Sequence, residues 1–194
     1  MDMSGEGQGE DKALYGGAMC AFLPPDAKDV SLLRDIPDNQ EVFSHACTDQ
    51  SFIIEIVEFQ QVPDQQAAKY HFEDIASSNE AVGPDNCQVE CVEQIPLDQT
   101  GMHQCSTAWL LSGKQEVAKF NEGVEARNCV NIYLALFRLP QHGTDILITF
   151  NDPTQISPLS SSAQQQPGVG SDWTLDQFKA VLQTLRIVDE GLFA

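Results

Sequence analysis

Short apolar runs alternate with polar, turn-forming stretches along most of the chain. The run Ser51–Phe59 (SFIIEIVEF) is apolar on both alternating faces: Phe52, Ile54 and Ile56 share one, and Ile53, Val57 and Phe59 share the other. Successive strand side chains point to opposite sides, so this run predicts a central strand with a covering layer on each side. Glu41–His45 precedes it across the polar stretch Ala46–Gln50 and completes a hairpin. Leu14–Leu23, Gln88–Ile95 and Gln104–Leu111 read as further strands, and Val130–Leu139 with Asp145–Phe150 forms a hairpin around PQHGT. Val30–Arg34 predicts a short helical turn, Pro37-Asp38-Asn39 a tight turn and Pro96–His103 a loop, while the polar residues 113–128 are left unassigned.

Two segments follow the helical period instead. Asp64 is placed to cap a helix running to about Ile75, with Ala68, Phe72 and Ala76 on one face. Near the end, Thr174 and Gln177 form a capping box, and Trp173 with Phe178 forms its hydrophobic staple. Leu175, Phe178, Val181, Leu182 and Leu185 then recur on one side. Hairpin-linked strands imply an antiparallel sheet. Adding two amphipathic helices and a two-faced central strand, the expected fold is α/β of the α+β type, a three-layer α/β/α sandwich around six to seven antiparallel strands. Residues 1–13 are expected to be a mobile acidic tail. Residues 14–194 are expected to form a single domain, with a mobile Ser/Gln/Pro-rich loop at about 153–171.

Charge narrows the possible functions. The 194 residues hold 29 Asp and Glu against 10 Lys and Arg, a net charge of −19. Residues 1–100 carry 20 acidic and 4 basic side chains, and residues 101–194 carry 9 and 6. A negative half suits a basic partner, and the plain alternative is a solvated face kept for solubility. No two basic residues are adjacent, which argues against direct nucleic-acid binding. No apolar run reaches the roughly 18 residues of a membrane span. The opening MDMSGEGQGEDK has neither the pattern of a secretory signal nor that of a transit peptide. The expectation is therefore the cytosol or nucleus, with the six cysteines as free thiols.

Catalytic chemistry finds little support. No phosphate loop, dinucleotide fingerprint, nucleophile elbow or H-E-x-x-H is present. Cys87, Cys91, His103 and Cys105 could be considered for zinc. Cys87 and Cys91, however, stand four apart on a predicted strand, about 13 Å, too far to share one ion. His71, beside Glu73 and Asp74, reads as a structural histidine rather than a base. An interaction protein is expected rather than an enzyme, without catalytic residues, cofactor or metal. Glu55 and Glu58 stand out because they interrupt the strongest apolar run. A buried carboxylate is costly unless paired, so these two either emerge at a strand end or uncovered patch, or pair with a basic residue such as Lys69 or Arg138. Three apart, they face opposite ways unless the strand bends, bulges or ends near Ile56–Glu58.

The segments LYGGAMCAFLP, DVSLLRDIPDNQEVF, SFIIEIVE, YHFED, LSGKQEVAK and LALFRLPQHGTDILITFNDP, with the final LFA, closely resemble the Ran guanine nucleotide release factor family. That family shares its fold with the PsbP proteins of photosystem II. The likeness covers about residues 14–153 and 172–194. It implies a nuclear and cytosolic protein that binds the small GTPase Ran, promotes release of its guanine nucleotide and influences nuclear import. In vertebrate members it further implies a role in bringing a cardiac voltage-gated sodium channel to the cell surface. The family's acidic Ran-contacting positions fall on Glu55 and Glu58, and Asp35, Asp38 and Glu41 extend the same surface. Position 55, often Asp in the family, is Glu here, one methylene longer. The alternative is an adaptor or escort for membrane-protein cargo with Ran incidental, using apolar surface around Leu14–Leu33. A small-ligand carrier would need a deep polar pocket. A monomer is expected, with no insertion into membranes.

Overall fold

A computed structural model of the chain describes residues 9–119, 122–164 and 171–194. The strands are β1 (Glu10–Leu14), β2 (Met19–Leu23), β3 (Ala27–Asp29), β4 (Gln40–His45), β5 (Ser51–Glu58), β6 (Cys87–Ile95), β7 (Thr107–Val117), β8 (Asn128–Leu139), β9 (Thr144–Gln155) and β10 (Arg186–Ile187). The helices are α1 (Asp64–Ser78) and α2 (Leu175–Thr184). Seven strands build one antiparallel sheet in the order β3-β4-β5-β9-β8-β7-β6, and β1, β2 and β10 build a separate three-stranded sheet.

Strand alternation dictates the layers. On one face Phe52, Ile54, Phe137, Ile148 and Phe150 meet Phe178, Val181 and Leu182 of α2, with Leu14, Met19 and Ala21 of the small sheet. On the other face Leu111, Ile132, Leu134, Leu136 and Leu147 meet Ala67, Ala68 and Phe72 of α1. Each fully buried Leu, Ile or Phe contributes about 1.5–3 kcal/mol. The ten-residue α2, marginal by itself, is held by this contact and by the expected capping box, formed between Thr174 and Gln177. The staple closes over Phe52, whose ring lies 4.6 Å from Trp173 and 5.9 Å from Phe178. The three-layer α/β/α sandwich is therefore as expected, and β5 is an interior strand.

Several local expectations need correction. The sequence led us to expect one strand over Leu14–Leu23, but the chain forms a hairpin there. Tyr15, Gly16 and Gly17 all have positive φ (49°, 65° and 98°), and this left-handed turn favours glycine. β1 also reaches back into the expected tail as far as Glu10, and Asp11 accepts two hydrogen bonds from Arg186, at 2.9 and 3.3 Å. The rest of that tail, residues 1–8, lies outside the described residues.

Asp64 does not cap α1. Pro63 precedes the helix, and the Asp64 carboxylate accepts from Arg138 at 2.6 Å. The helix runs to Ser78 rather than ending near Ile75. β7 starts at Thr107 and continues through the polar residues to Val117, because buried Gln115 donates to Phe72 O at 3.1 Å. The region from 153 is partly packed: Asn128 accepts from the Ser157 amide at 2.8 Å and donates to Ser160 Oγ at 3.1 Å. Residues 165–170 of that loop lie outside the described residues.

Candidate functional site

β4 and β5 pair with Gln40 opposite Glu55 and Glu41 opposite Ile54. The turn before β4 is fastened to β5 by Asn39. Its carbonyl accepts from the Ile56 amide at 2.9 Å, and its side-chain amide donates to Ile56 O at 3.1 Å. Asp38 therefore stands next to the outer end of β5, and both Asp35 and Asp38 are exposed. Glu58 is exposed and is the last residue of β5. Glu55 is half-buried, and its Oε1 accepts from Gln40 Nε2 at 2.6 Å.

β5 pairs with β9 in unbroken register from Ser51 to Glu58. No bulge turns Glu55 and Glu58 to one side, so by strand alternation they face opposite ways. β5 ends at Glu58, which is exposed there. Glu41 points inward: its Oε1 accepts from the Tyr15 amide at 2.5 Å. Asp35, Asp38 and Glu58 are exposed and Glu55 is half-buried, while Glu41 is engaged by the Tyr15 amide.

The basic residues considered as partners are engaged elsewhere. Lys69 pairs with Glu73 at 3.5 Å. Arg138, fully buried, donates to Asp145 at 3.1 Å and Asp64 at 2.6 Å. Among the described residues no ion pair engages Glu55, Glu58, Asp35 or Asp38.

Arg138 controls where the chain goes after Glu58. Its guanidinium also donates to the carbonyls of Gln60 and Val62 and lies 3.9 Å from the centre of the Phe59 ring. Buried Asp145 receives the Gln60 amide at 3.1 Å and stands 2.9 Å from His71 Nε2. His71 is thus part of a buried polar network, consistent with its structural reading. Polar groups this deep must be satisfied, and the network fixes residues 59–64 against the sheet.

Proton affinities follow the same geometry. Burial, and then the charges of Glu41 and Glu55, push the Tyr15 phenol above its usual value. Burial, helped by Asp145, pushes the Cys105 thiol up to about 12. Among the described residues no three His, Cys, Asp or Glu side chains are grouped to hold a metal.

The family described as Ran-interacting Mog1 protein matches residues 12–153. This chain belongs to that family. It is similar to a Ran guanine nucleotide release factor of Danio rerio, 55% identical over 183 residues, with 94% of this chain and 98% of the relative covered. A Schizosaccharomyces pombe relative named nuclear import protein mog1 is 30% identical over 187 residues, with 93% and 98% covered. The crystal structure of the Saccharomyces cerevisiae Ran-binding protein Mog1p matches with a TM-score of 0.71 at 23% identity, covering 96% of this chain and 98% of that one. At that identity the likeness speaks for the Mog1 fold alone.

Two parts of this Mog1-family corner escaped the sequence reading. Tyr15, whose hydroxyl lies 2.8 Å from Ile54 O, is distant in sequence from Glu41 and Ile54, which it fastens. Arg138 and Asp145 are cross-strand partners in the β8–β9 hairpin, so the predicted hairpin register carried a signal for their pairing.

Proposed function

We propose that this Mog1-family protein binds the small GTPase Ran and promotes release of its guanine nucleotide, acting in nuclear import in the nucleus and cytoplasm. Family membership and the names of the relatives support the partner. The binding surface we infer is made by Glu55, Glu58, Asp35 and Asp38, and what supports it is that none of them is in an ion pair among the described residues. Glu41 belongs to the same corner through the Tyr15 turn.

The chemistry is electrostatic. A GTPase holds its phosphates with a lysine, a glycine-rich loop and Mg²⁺. A carboxylate presented to that cationic cluster competes with the phosphates, and the surrounding negative charge speeds encounter. No bond is made or broken by this protein; it lowers the barrier to nucleotide release. Replacing Glu55 and Glu58 together by Lys should abolish binding to Ran, read by titration calorimetry, with an unchanged unfolding midpoint. Wild-type affinity in the folded double variant would refute the role of these two acids.

One observation favours a second reading, an escort for membrane-protein cargo such as the cytoplasmic loop of a voltage-gated sodium channel. Leu32 and Leu33 are 82% and 77% exposed beside the acidic turn, and neighbouring exposed leucines suit an apolar contact. Saturable binding of that loop, lost in Leu32→Ser/Leu33→Ser and unchanged by excess Ran, would support this reading. No binding would remove it.

A further inference from the structure

α1 packs toward β6, β7 and β8, and leaves a cleft of about 360 Å³ on its side of the sheet. That size falls in the range of roughly 300–1,000 Å³ typical of ligand sites. Lining residues from β4, β5, β9, β8 and β7 show that the cleft runs across five strands. Four interstrand spacings make it about 19 Å long. Ile53 and Ile132 form an apolar floor, and Asp74, Ile75 and Ser78 of α1 form a wall.

The two ends of the cleft differ. At the β4–β5 end stand Gln40 and Glu55. Neither Glu55 nor Asp74 has an ionic partner among the described residues, whereas Asp49, also in the lining, is neutralised by Lys119 at 3.0 Å. At the far end stand Asn128 and Ser162. Ser162 is only 7% exposed, and its Oγ has no hydrogen-bond partner among the described residues. Buried hydroxyls are rarely left unpaired, and this one lines the cleft. It leaves one hydrogen bond open at this end of the lining.

We propose that the cleft seats an extended, basic segment of the partner protein. One lysine or arginine faces the unpaired carboxylates of the lining, Glu55 on the sheet and Asp74 on the α1 wall, its aliphatic stem rests on Ile53 and Ile75, and a polar group of the same segment turns toward Ser162. About 19 Å accommodates roughly six extended residues at about 3.3 Å each. Two uncompensated carboxylates over an apolar floor fit a long cationic side chain and repel an anionic one. The proposal rests on Ran being the partner, and it adds to the rim a second contact area reaching away from Glu58.

The test uses the full chain and Ran, with affinity read by calorimetry and folding by thermal unfolding. Ser78→Trp fills the cleft from an exposed helix position without changing charge, and Asp74→Asn removes charge inside it. Glu93→Gln removes the same charge at an exposed position of β6 outside the lining. Ser78→Trp should weaken binding about tenfold or more. Asp74→Asn should weaken it several-fold, Asp74→Glu should retain it, and Glu93→Gln should leave it unchanged.

Wild-type affinity in folded Ser78→Trp would overturn the proposal. If Ser78→Trp fails to fold, the Asp74→Asn and Asp74→Glu pair decides in its place: equal affinities overturn the proposal. Loss of binding in Glu58→Lys, which lies outside the cleft lining, but not in the cleft variants would reject the cleft and keep the rim. No binding of Ran by the wild-type protein would reject both.

Discussion

The main-chain amide of Tyr15 donates to Glu41 Oε1 at 2.5 Å, joining the small sheet to the start of the acidic corner. Tyr15 holds a positive φ of 49°, a conformation that costs a non-glycine residue energy and persists where its surroundings fix it. The tyrosine hydroxyl fastens the same corner from above, through Ile54 O at 2.8 Å.

Tyr15→Phe should therefore cost about 1 kcal/mol at neutral pH, read by urea unfolding. It should also change the alkaline limb. The folded phenol has a raised proton affinity, so above about pH 10 the unfolded chain loses this proton first and stability falls as pH rises. The variant should show a shallower fall than the wild type. Identical alkaline slopes would contradict the burial of this hydroxyl.

Arg138 and Asp145 supply a second test. Arg138→Met leaves Asp145 buried without its cation and should destabilise by about 3–5 kcal/mol. Adding Asp145→Asn should recover part of that loss, because the orphan charge is gone. A double-mutant cycle in urea measures the coupling, and additive losses would argue against the pair.

Gly113 sits where a side chain does not fit. A Cβ there would lie 2.5 Å from Gln88 O and 2.6 Å from the Phe72 ring. Gly113→Ala should cost about 1–3 kcal/mol, as overpacking does, by pushing α1 off β7. Neutral thermal unfolding would show that α1 gives way freely.

Asp35 and Asp38 are exposed at the rim, so they should act on encounter more than on the bound state. Asp35→Asn/Asp38→Asn should slow association with Ran a few-fold and flatten its salt dependence, with little change in dissociation. Stopped-flow rates at several ionic strengths check this. A change confined to dissociation would place these residues inside the contact.

Much of the fold is legible in the sequence because its signals are local. The Thr174–Gln177 box and the apolar face of α2 lie within one segment, and the two-faced pattern of β5 announces its interior position. The break at Tyr15 is harder to read, because apolar residues continue on both sides of the Gly16-Gly17 pair that permits the turn, and the contacts of Tyr15 with Glu41 and Ile54 are what fix it. The extension of β7 is hidden for a related reason: Lys114, Gln115 and Glu116 look like loop residues until Gln115 meets the end of α1. Of the site, Glu55 and Glu58 stand out as charges in an apolar run. The inward turn of Glu41 depends on Tyr15, and the cleft depends on how much of the sheet α1 leaves bare, which no local pattern states.

The most direct test of the functional account is the release of fluorescently labelled GTP from purified Ran, followed by stopped flow with and without stoichiometric amounts of this protein. The account predicts strong acceleration by the wild type and none by Glu55→Lys/Glu58→Lys. An unchanged release rate, with this protein folded and bound to Ran, would contradict it.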